Sequence, residues 1–526
     1  MANEKVDVVI VGAGSSGTAY AAKLAQAGKK VVIIEAGPDW QMKDLISSDF
    51  WGRRIKPAGA PFLLEGKNPF GYAFQTGWGV GGAALHYFAN FPRLMPVDFK
   101  VKTEHGKGLD WPIDYTDVAP WYDQVADDIG VSGDAKAEER WRPAGKPYPM
   151  PPMLSFKHGE VWQKVCADAG INLMPAAVAM NSREYKGRPA CIYDGWCHVG
   201  CPTGALANPQ ATYLADAKKA GAEVRALCNV TRVLTNPAGT RVTGVEYVDG
   251  KNERQVQEAS VVILAAWTAE NARLMLNSVT DKHEKGLANK NGLLGKYLTC
   301  HYGSNTWAIF DEDVQNHMGT SGSQFASYDR YGKTSTKGAF GSSLWTCGAA
   351  LKTTDLSGFA NARGDLFGKP LDDFMKRASK GLTRLGAFGE EMPNAENRIE
   401  IATAQKDAFG MPFGRIIHSY DEDAVKLWNT NFDVGLEIAK KVGAKDVWSG
   451  RGNQPTIHMH GGTIMGKGAA DSVVNSYGQT HEIPNLWVAG PGIFPTEGAS
   501  NPTYTILALS LRGAEQLTKT WGSVAG

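Results

Sequence analysis

The stretch that most narrows the possible folds is residues 6–38, VDVVIVGAGSSGTAYAAKLAQAGKKVVIIEAGP. The unbroken apolar run Val8–Val11 predicts a strand buried on both faces. Gly12-Ala13-Gly14-Ser15-Ser16-Gly17 follows, then an alanine-rich helix ended by Gly28, then a second apolar strand, Val31–Ile34, closed by Glu35. Strand, glycine turn, helix and strand make a βαβ unit, which requires a parallel sheet with helices laid against it. Gly12 turns the chain, Gly14 lets the backbone approach a diphosphate, and Gly17 lets the helix pack on the sheet. The first N–H groups of that helix, at and after Ser15, face an anion favourably. Glu35, 18 residues after Gly17, can accept hydrogen bonds from ribose hydroxyls. No basic residue stands beside it, which favours NAD or FAD over NADP, and the fingerprint alone does not separate those two.

Composition removes several classes of partner. The 526 residues are 43% hydrophobic and 21% charged, and 55 Lys and Arg against 54 Asp and Glu leave a formal charge of +1. Nothing in that balance points to nucleic acid or an anionic membrane surface. The longest apolar runs, such as VVILAAW at 261–267, fall far short of the ~20 residues that span a bilayer. MANEKVDVVIVGAG passes straight into a strand, so no secretion signal is expected. Seven cysteines without paired spacing argue against a disulfide framework.

Near the carboxyl end, PTIHMHGGTIMG at 455–466 sets His458 and His460 two apart, a spacing that shares one face in extended chain. With no carboxylate or third histidine close in sequence, a catalytic base is favoured over a metal site or a structural histidine. The strand Leu486–Ala489 precedes Gly490 and a Gly/Pro loop, and then Asn501-Pro502 predicts a helix start with Asn501 as N-cap and Pro502 at N1. In mid-chain, CIYDGWCHVGCP at 191–202 gathers Cys191, Cys197 and Cys201 in a C-x5-C-x3-C-P array. Three soft thiolates in a pliable loop suit iron–sulfur ligation, zinc, or unligated redox-labile cysteines. His198 is awkwardly adjacent to Cys197 for joint ligation, and structural zinc normally takes four protein ligands.

Taken together these blocks resemble the glucose-methanol-choline (GMC) flavoprotein oxidoreductases. The first fingerprint matches their FAD motif, and GWGVGGAALHYF (77–88) resembles their second flavin loop, with Gly79, Gly81 and Gly82. Their His-Pro-x-Gly-Thr-x-x-Met-Gly pattern is similar to 458–466 with the threonine shifted, and counting back seven from Met465 selects His458 over His460. Asn501-Pro502-Thr503 matches their Asn-Pro-Thr, and NVTRVL (229–234), which contains Val230, matches a further block. WPIDYTDVAPWYDQVADDIGVSG, LLGKYLTCH and EEMPNAENRIEI are matched as well, whereas 302–380 is poorly matched. Ala83 and Ala84 stand where many members carry hydroxyls. His86 occupies a position that is histidine in a branch able to bond flavin covalently, and here a packed or hydrogen-bonding histidine is the favoured reading.

The resemblance implies an α/β (α+β overall) architecture, a Rossmann-like FAD domain interleaved with a substrate domain on an antiparallel sheet with helices. Residues 1–45, 205–300 and 455–526 are expected to form the FAD domain, 46–204 the flavin-covering and cysteine loops, and 302–454 the substrate domain. The implied chemistry is oxidation of an alcohol, with His458 taking a proton, Asn501 orienting the same hydroxyl, and hydride passing to flavin N5. Gly12, Gly14, Ser15, Gly17, Glu35, Gly79, Gly81, Gly82, His86, Val230, Gly490, Asn501, Pro502 and Thr503 are expected around FAD. RPACIYDGWCHVGCPTGA resembles the loop that holds a [3Fe–4S] cluster in the bacterial sugar and sugar-acid dehydrogenases of this family. That branch implies a pyranose substrate (glucose at C1, a glycoside at C3, a ketose or an aldonate), with neutral sugars favoured over acids. It also implies a small partner subunit bearing a twin-arginine signal, a cytochrome c or quinone acceptor, and a periplasmic site reached by co-export. Cytoplasmic residence and an O2-using oxidase are the alternatives.

Overall fold

Strand β1 (Val6–Val11) is sequestered because Val8, Val9 and Ile10 present apolar side chains to both faces of a sheet. The computed structural model describes residues 4–56, 60–71, 76–361, 363–450 and 458–526. After β1 come helix α1 (Ser15–Gln26) and strand β2 (Val31–Ile34), which returns parallel with Val8 opposite Val31 and Val11 opposite Ile34. The other edge of β1 pairs in parallel with Arg254–Leu264, which in turn takes Leu486–Val488 in parallel. Glu223–Arg225 lies beyond β2. Asn229–Thr235 and Val242–Val248 run antiparallel and attach to the amino-terminal half of Arg254–Leu264, completing a seven-stranded sheet. Helix Thr503–Lys519 crosses α1 closely, because Gly513 has no side chain where the Tyr20 hydroxyl sits. The carboxyl ends of β1, β2 and Arg254–Leu264 open at one edge, where open parallel sheets hold ligands.

A six-stranded antiparallel sheet, in the order Asp446–Gly450, Tyr302–Ile309, Leu382–Gly389, Ser343–Cys347, Phe325–Ser327 and Met174–Pro175, forms the second layer. Helix Glu422–Ala439, capped by the Asp421 carboxylate on the Ala424 N–H at 2.7 Å, lies on it with Ile438 in a cluster around Trp162, Phe325 and Trp345. A three-stranded sheet joins Arg398–Lys406, Pro412–Ile417 and Phe62–Glu65. Segment 46–204, expected to form flavin-covering and cysteine loops, lends Phe62–Glu65 and Met174–Pro175 to two sheets. The boundary expected at 454/455 lies outside the described residues. Thr299–Cys300 pairs antiparallel with Met459–His460, with Cys300 opposite Met459 and Thr299 opposite His460. Among the described residues no helix is long and apolar enough to cross a membrane.

Candidate active site

A cavity of about 780 Å3 opens at the carboxyl ends of the parallel strands. Of the residues expected around FAD, Gly12, Gly14, Ser15, Glu35, Gly82, His86, Val230, Asn501, Pro502 and Thr503 line it, and so does His458. Gly17, Gly79, Gly81 and Gly490 do not. Gly17 is occupied with packing, since a Cβ there would meet the Gly12 carbonyl oxygen at 2.1 Å. A Cβ on Gly14 would meet nothing within 4 Å. Gly14 is also the N-cap of α1 without a side-chain partner, so the first-turn N–H groups await an outside acceptor. Empty room beside unsatisfied donors fits a diphosphate.

Glu35 does more than border this room. Its Oε2 accepts from Ala13 N–H at 2.9 Å, and its Oε1 from Gly37 N–H at 2.9 Å and Gly79 N–H at 3.1 Å. The carboxylate thus ties the first glycine turn to the second, and with about four lone-pair sites it retains one for a ribose hydroxyl. The Nε2 of His86 lies 3.1 Å from the Thr76 carbonyl, to which it must donate, leaving Nδ1 unprotonated. Burial, then the charge on Lys56, pushes this ring down to about 4 and keeps it neutral. Trp267, Glu270, Arg273 and Asp407, given no role from sequence, also line the cavity, with Arg273 held by Glu270 at 2.9 Å and Asp407 at 2.6 Å.

His458 and His460 do not share a face. His458 has φ +57°, a left-handed conformation uncommon for a non-glycine residue, and only Met459–His460 is extended. The kink turns His458 to the cavity wall and leaves His460 buried away from it. The expectation that no carboxylate or third histidine lies nearby is also corrected. The register that sets Cys300 against Met459 sets His301 against His458, and the two Nδ1 atoms are 2.9 Å apart. The Nε2 of His301 lies 2.8 Å from the Gly498 carbonyl and must donate to it. His301 Nδ1 is then an acceptor, His458 Nδ1 the donor, and His458 Nε2 carries the lone pair, to which the Asn501 amide donates. Asn501 Nδ2 sits 3.3 Å from that nitrogen, and its Oδ1 is buried without a protein partner. Burial, then the neighbouring His301 and His460, holds His458 well below the ordinary histidine range, so it is neutral. The helix after Asn501 starts at Thr503 with Pro502 at the N-cap, one residue later than expected, which releases the Asn501 side chain from capping.

Glu497 completes the surroundings. It is wholly buried, with Oε2 3.0 Å from His460 Nδ1, and Oε1 accepting from Glu391 N–H at 2.8 Å and lying 3.8 Å from His301 Nε2. Burial pushes its carboxyl up to about 8, with His301 opposing. Sequence reading did not single out His301 or Glu497, which the fold brings against His458 and His460. His301 ends the matched block LLGKYLTCH, but its contact with His458 spans 157 residues.

The cysteine loop does not line the cavity but adjoins its wall, where the His198 ring is 6.0 Å from that of Phe88. Cys197 is buried, Cys191 and Cys201 are half-buried, and burial raises Cys191 to about 11, with Cys201 adding to it, and Cys197 to about 12, with Cys191 and Cys201 adding to it. Backbone N–H groups of Tyr193 and Ser321 reach the sulfurs of Cys191 and Cys197, both at 3.4 Å. A single zinc ion would draw its sulfurs to within ~4 Å of one another. Among the described residues the only trio of potential ligand atoms so gathered, within 4.8 Å, is Asp49, His198 and Asp355. Cys191, Cys197 and Cys201 do not form such a trio, so their sulfurs are not gathered as around one zinc ion. His198 points its Nδ1 at Ser321 Oγ (2.9 Å) and Nε2 at Asp49 (3.1 Å), so its ring is engaged away from the thiols.

The GMC oxidoreductase model matches residues 6–303, and its carboxyl-terminal counterpart matches 393–510. The chain is 30% identical to 2-methyl-1,2-propanediol dehydrogenase of Mycolicibacterium austroafricanum, over 99% of this chain and 96% of that one. It is 28% identical to the fructose dehydrogenase large subunit of Gluconobacter japonicus, over 98% and 99%. Its fold is that of pyridoxine 4-oxidase from Mesorbium loti, at a TM-score of 0.67 and 17% identity over 97% and 99% of the two chains. Two glycine loops bound through Glu35, a histidine and an asparagine on one cavity, and matches over both halves place the chain in the GMC oxidoreductase family.

Proposed function

We propose that this oxidoreductase is an FAD-dependent dehydrogenase that oxidises a hydroxyl of a sugar or glycoside to a carbonyl. Electrons would leave through a [3Fe–4S] cluster held by Cys191, Cys197 and Cys201 to a cytochrome or quinone acceptor. The observation that carries the catalytic part is the convergence of a neutral His458, its Nε2 unprotonated, and the unpartnered Asn501 Oδ1 on the cavity that Gly14 borders. Bound FAD would supply the acceptor for hydride. The chain's own part is to hold the substrate: its hydroxyl would donate to His458 Nε2, which takes the proton, while Asn501 beside that nitrogen orients the same hydroxyl. His86, neutral and held by Thr76, packs beside the flavin site in this reading.

The similarity to a fructose dehydrogenase large subunit supports a sugar substrate and a multi-subunit complex. The co-exported partner, the cytochrome acceptor and the periplasmic location rest on the cysteine loop and that similarity. A second reading, a small diol as substrate, is favoured by the similarity to 2-methyl-1,2-propanediol dehydrogenase. Both are tested by anaerobic mixing of FAD-loaded protein with D-fructose, gluconate, glucosides and 2-methyl-1,2-propanediol, with iron assay and EPR on the same sample. Flavin bleaching by a sugar together with an EPR-active cluster that Cys197→Ser abolishes is the expected result. Bleaching only by the diol would replace the sugar, and stoichiometric peroxide in air without iron would make the protein an oxidase.

A further inference from the structure

We propose that Glu497 is a positioning residue that governs the proton affinity of His458 through His301, so that ionisation of Glu497 sets how fast a substrate hydroxyl is deprotonated. The proposal rests on the reading of His458 as proton acceptor. Its basis is a chain of contacts: His458 Nδ1 to His301 Nδ1 at 2.9 Å, then His301 Nε2 to the Glu497 carboxyl at 3.8 Å, beside the Gly498 carbonyl at 2.8 Å. His301 and Glu497 are sealed from solvent, so charge on one is felt by the other with little screening.

Proton transfer breaks the substrate O–H bond and places its proton on His458 Nε2. The hydrogen on the same carbon leaves with its electron pair for the flavin that the family's chemistry supplies. The imidazolium so formed is shared toward His301, where an ionised Glu497 offsets it and a protonated Glu497 does not. Other groups around Glu497 are already matched. His460 contacts Oε2, the Glu391 N–H contacts Oε1, and the Thr299 hydroxyl adds a further hydrogen bond. The Glu391 carboxylate is paired with His418 at 3.0 Å, and Glu390 with Lys333, which also holds Asp98. Tyr302 and Tyr420 stay uncharged, because burial raises both hydroxyls far above 10. Glu497 is the acid of this group whose nearest basic partners are both histidines: His460 at 3.0 Å, which burial pushes down to about 3 and so keeps neutral, and His301 at 3.8 Å. Its carboxyl, raised by burial to about 8, would change state within the usable pH range. His458 is held too low to do so.

The test is stopped-flow flavin reduction of the FAD-loaded full chain between about pH 6 and 10, with D-fructose or 2-methyl-1,2-propanediol, whichever bleaches it. The wild-type rate is expected to climb at least ~10-fold with a midpoint near pH 8, the effect of one pKa unit of coupling. Glu497→Gln is expected to be flat at the low-pH rate, and Glu497→Asp to keep the climb with a displaced midpoint. His301→Asn should flatten the profile with Glu497 intact. A pH-independent wild-type rate, or a climb that survives in E497Q or H301N, overturns the proposal; if E497Q does not fold, E497D and H301N decide it. Thermal unfolding supplies a readout without substrate. A carboxyl protonated in the fold stabilises fully below its ordinary pKa of about 4.5, and that stabilisation is lost as pH rises toward 8. The wild type should lose midpoint temperature over that window and E497Q should not; equal slopes count against it. No bleaching by any sugar or polyol at any pH would defeat the functional reading instead, and the thermal comparison would still decide the ionisation of Glu497.

Discussion

His458 shows how much one residue's backbone can decide. Its sequence neighbourhood offered two histidines two apart, and the count back from Met465 chose between them, yet extended geometry would have aimed both the same way. The left-handed φ of +57° separates them, sending one ring to the cavity and the other to Glu497. Such a conformation costs of order 1–3 kcal/mol and persists only where the surroundings hold it, here the His301 contact and the strand register. Replacing His458 by alanine is expected to slow substrate-driven flavin reduction by at least ~10²-fold, the low end of what a positioned base contributes. Near-normal bleaching in that variant would take His458 out of the proton-transfer step. The proton's position on His458 was not legible from sequence, because it is set by Gly498, 197 residues from His301 in the chain.

At the scale of elements, β1, its glycine turn and α1 were legible almost residue by residue, because the apolar runs and turn glycines that set their conformation lie within one short βαβ unit. Two glycines of that turn make opposite predictions. At Gly12 a Cβ would stand 2.5 Å from the Ala265 carbonyl oxygen, at φ +103°, so Gly12→Ala is expected to lower the thermal midpoint whether or not FAD is present. At Gly14 the backbone is extended and the space is open, so Gly14→Val should fold with a near wild-type midpoint in the apo form yet retain little FAD. Absorbance at the flavin band, measured beside the melting curve, distinguishes the two. A Gly14→Val protein that is fully yellow would remove the diphosphate from that cradle. The start of helix Thr503–Lys519 was read one residue early because an Asn-Pro pair is normally a cap and a first turn. Here Asn501 is drawn to His458 instead, a tertiary contact overriding a local preference.

The whole molecule is held together across its interleaved segments by groups that no local pattern announces. Lys333 Nζ lies 2.7 Å from Asp98 and 2.7 Å from Glu390, all three without solvent exposure. Asp98 also accepts from the Tyr331 hydroxyl at 3.0 Å, and that hydroxyl meets Ser500 Oγ at 2.8 Å, next to Asn501. The cluster thus connects the second sheet's surroundings to the loop that carries Glu497 and Asn501. Lys333→Met would leave two buried carboxylates without their cation, and a loss of about 3–5 kcal/mol in denaturant unfolding is expected. A loss below about 1 kcal/mol would mean that the carboxylates simply take up protons.

By itself the sequence determined the βαβ unit, the glycine turn facing a dinucleotide, the acidic residue that follows β2, and the grouping of Cys191, Cys197 and Cys201. Each depends on residues close along the chain, where side-chain period and turn chemistry govern conformation. Only the tertiary structure decided that Glu35 binds both glycine loops, that His458 and His460 part company, and that His301 and Glu497 stand behind the cavity wall. Those contacts depend on the register of a two-residue strand pair and on burial. The reason is physical: proton affinity and hydrogen-bond direction are set by what surrounds a group after folding, and those surroundings come from segments that the chain order keeps far apart.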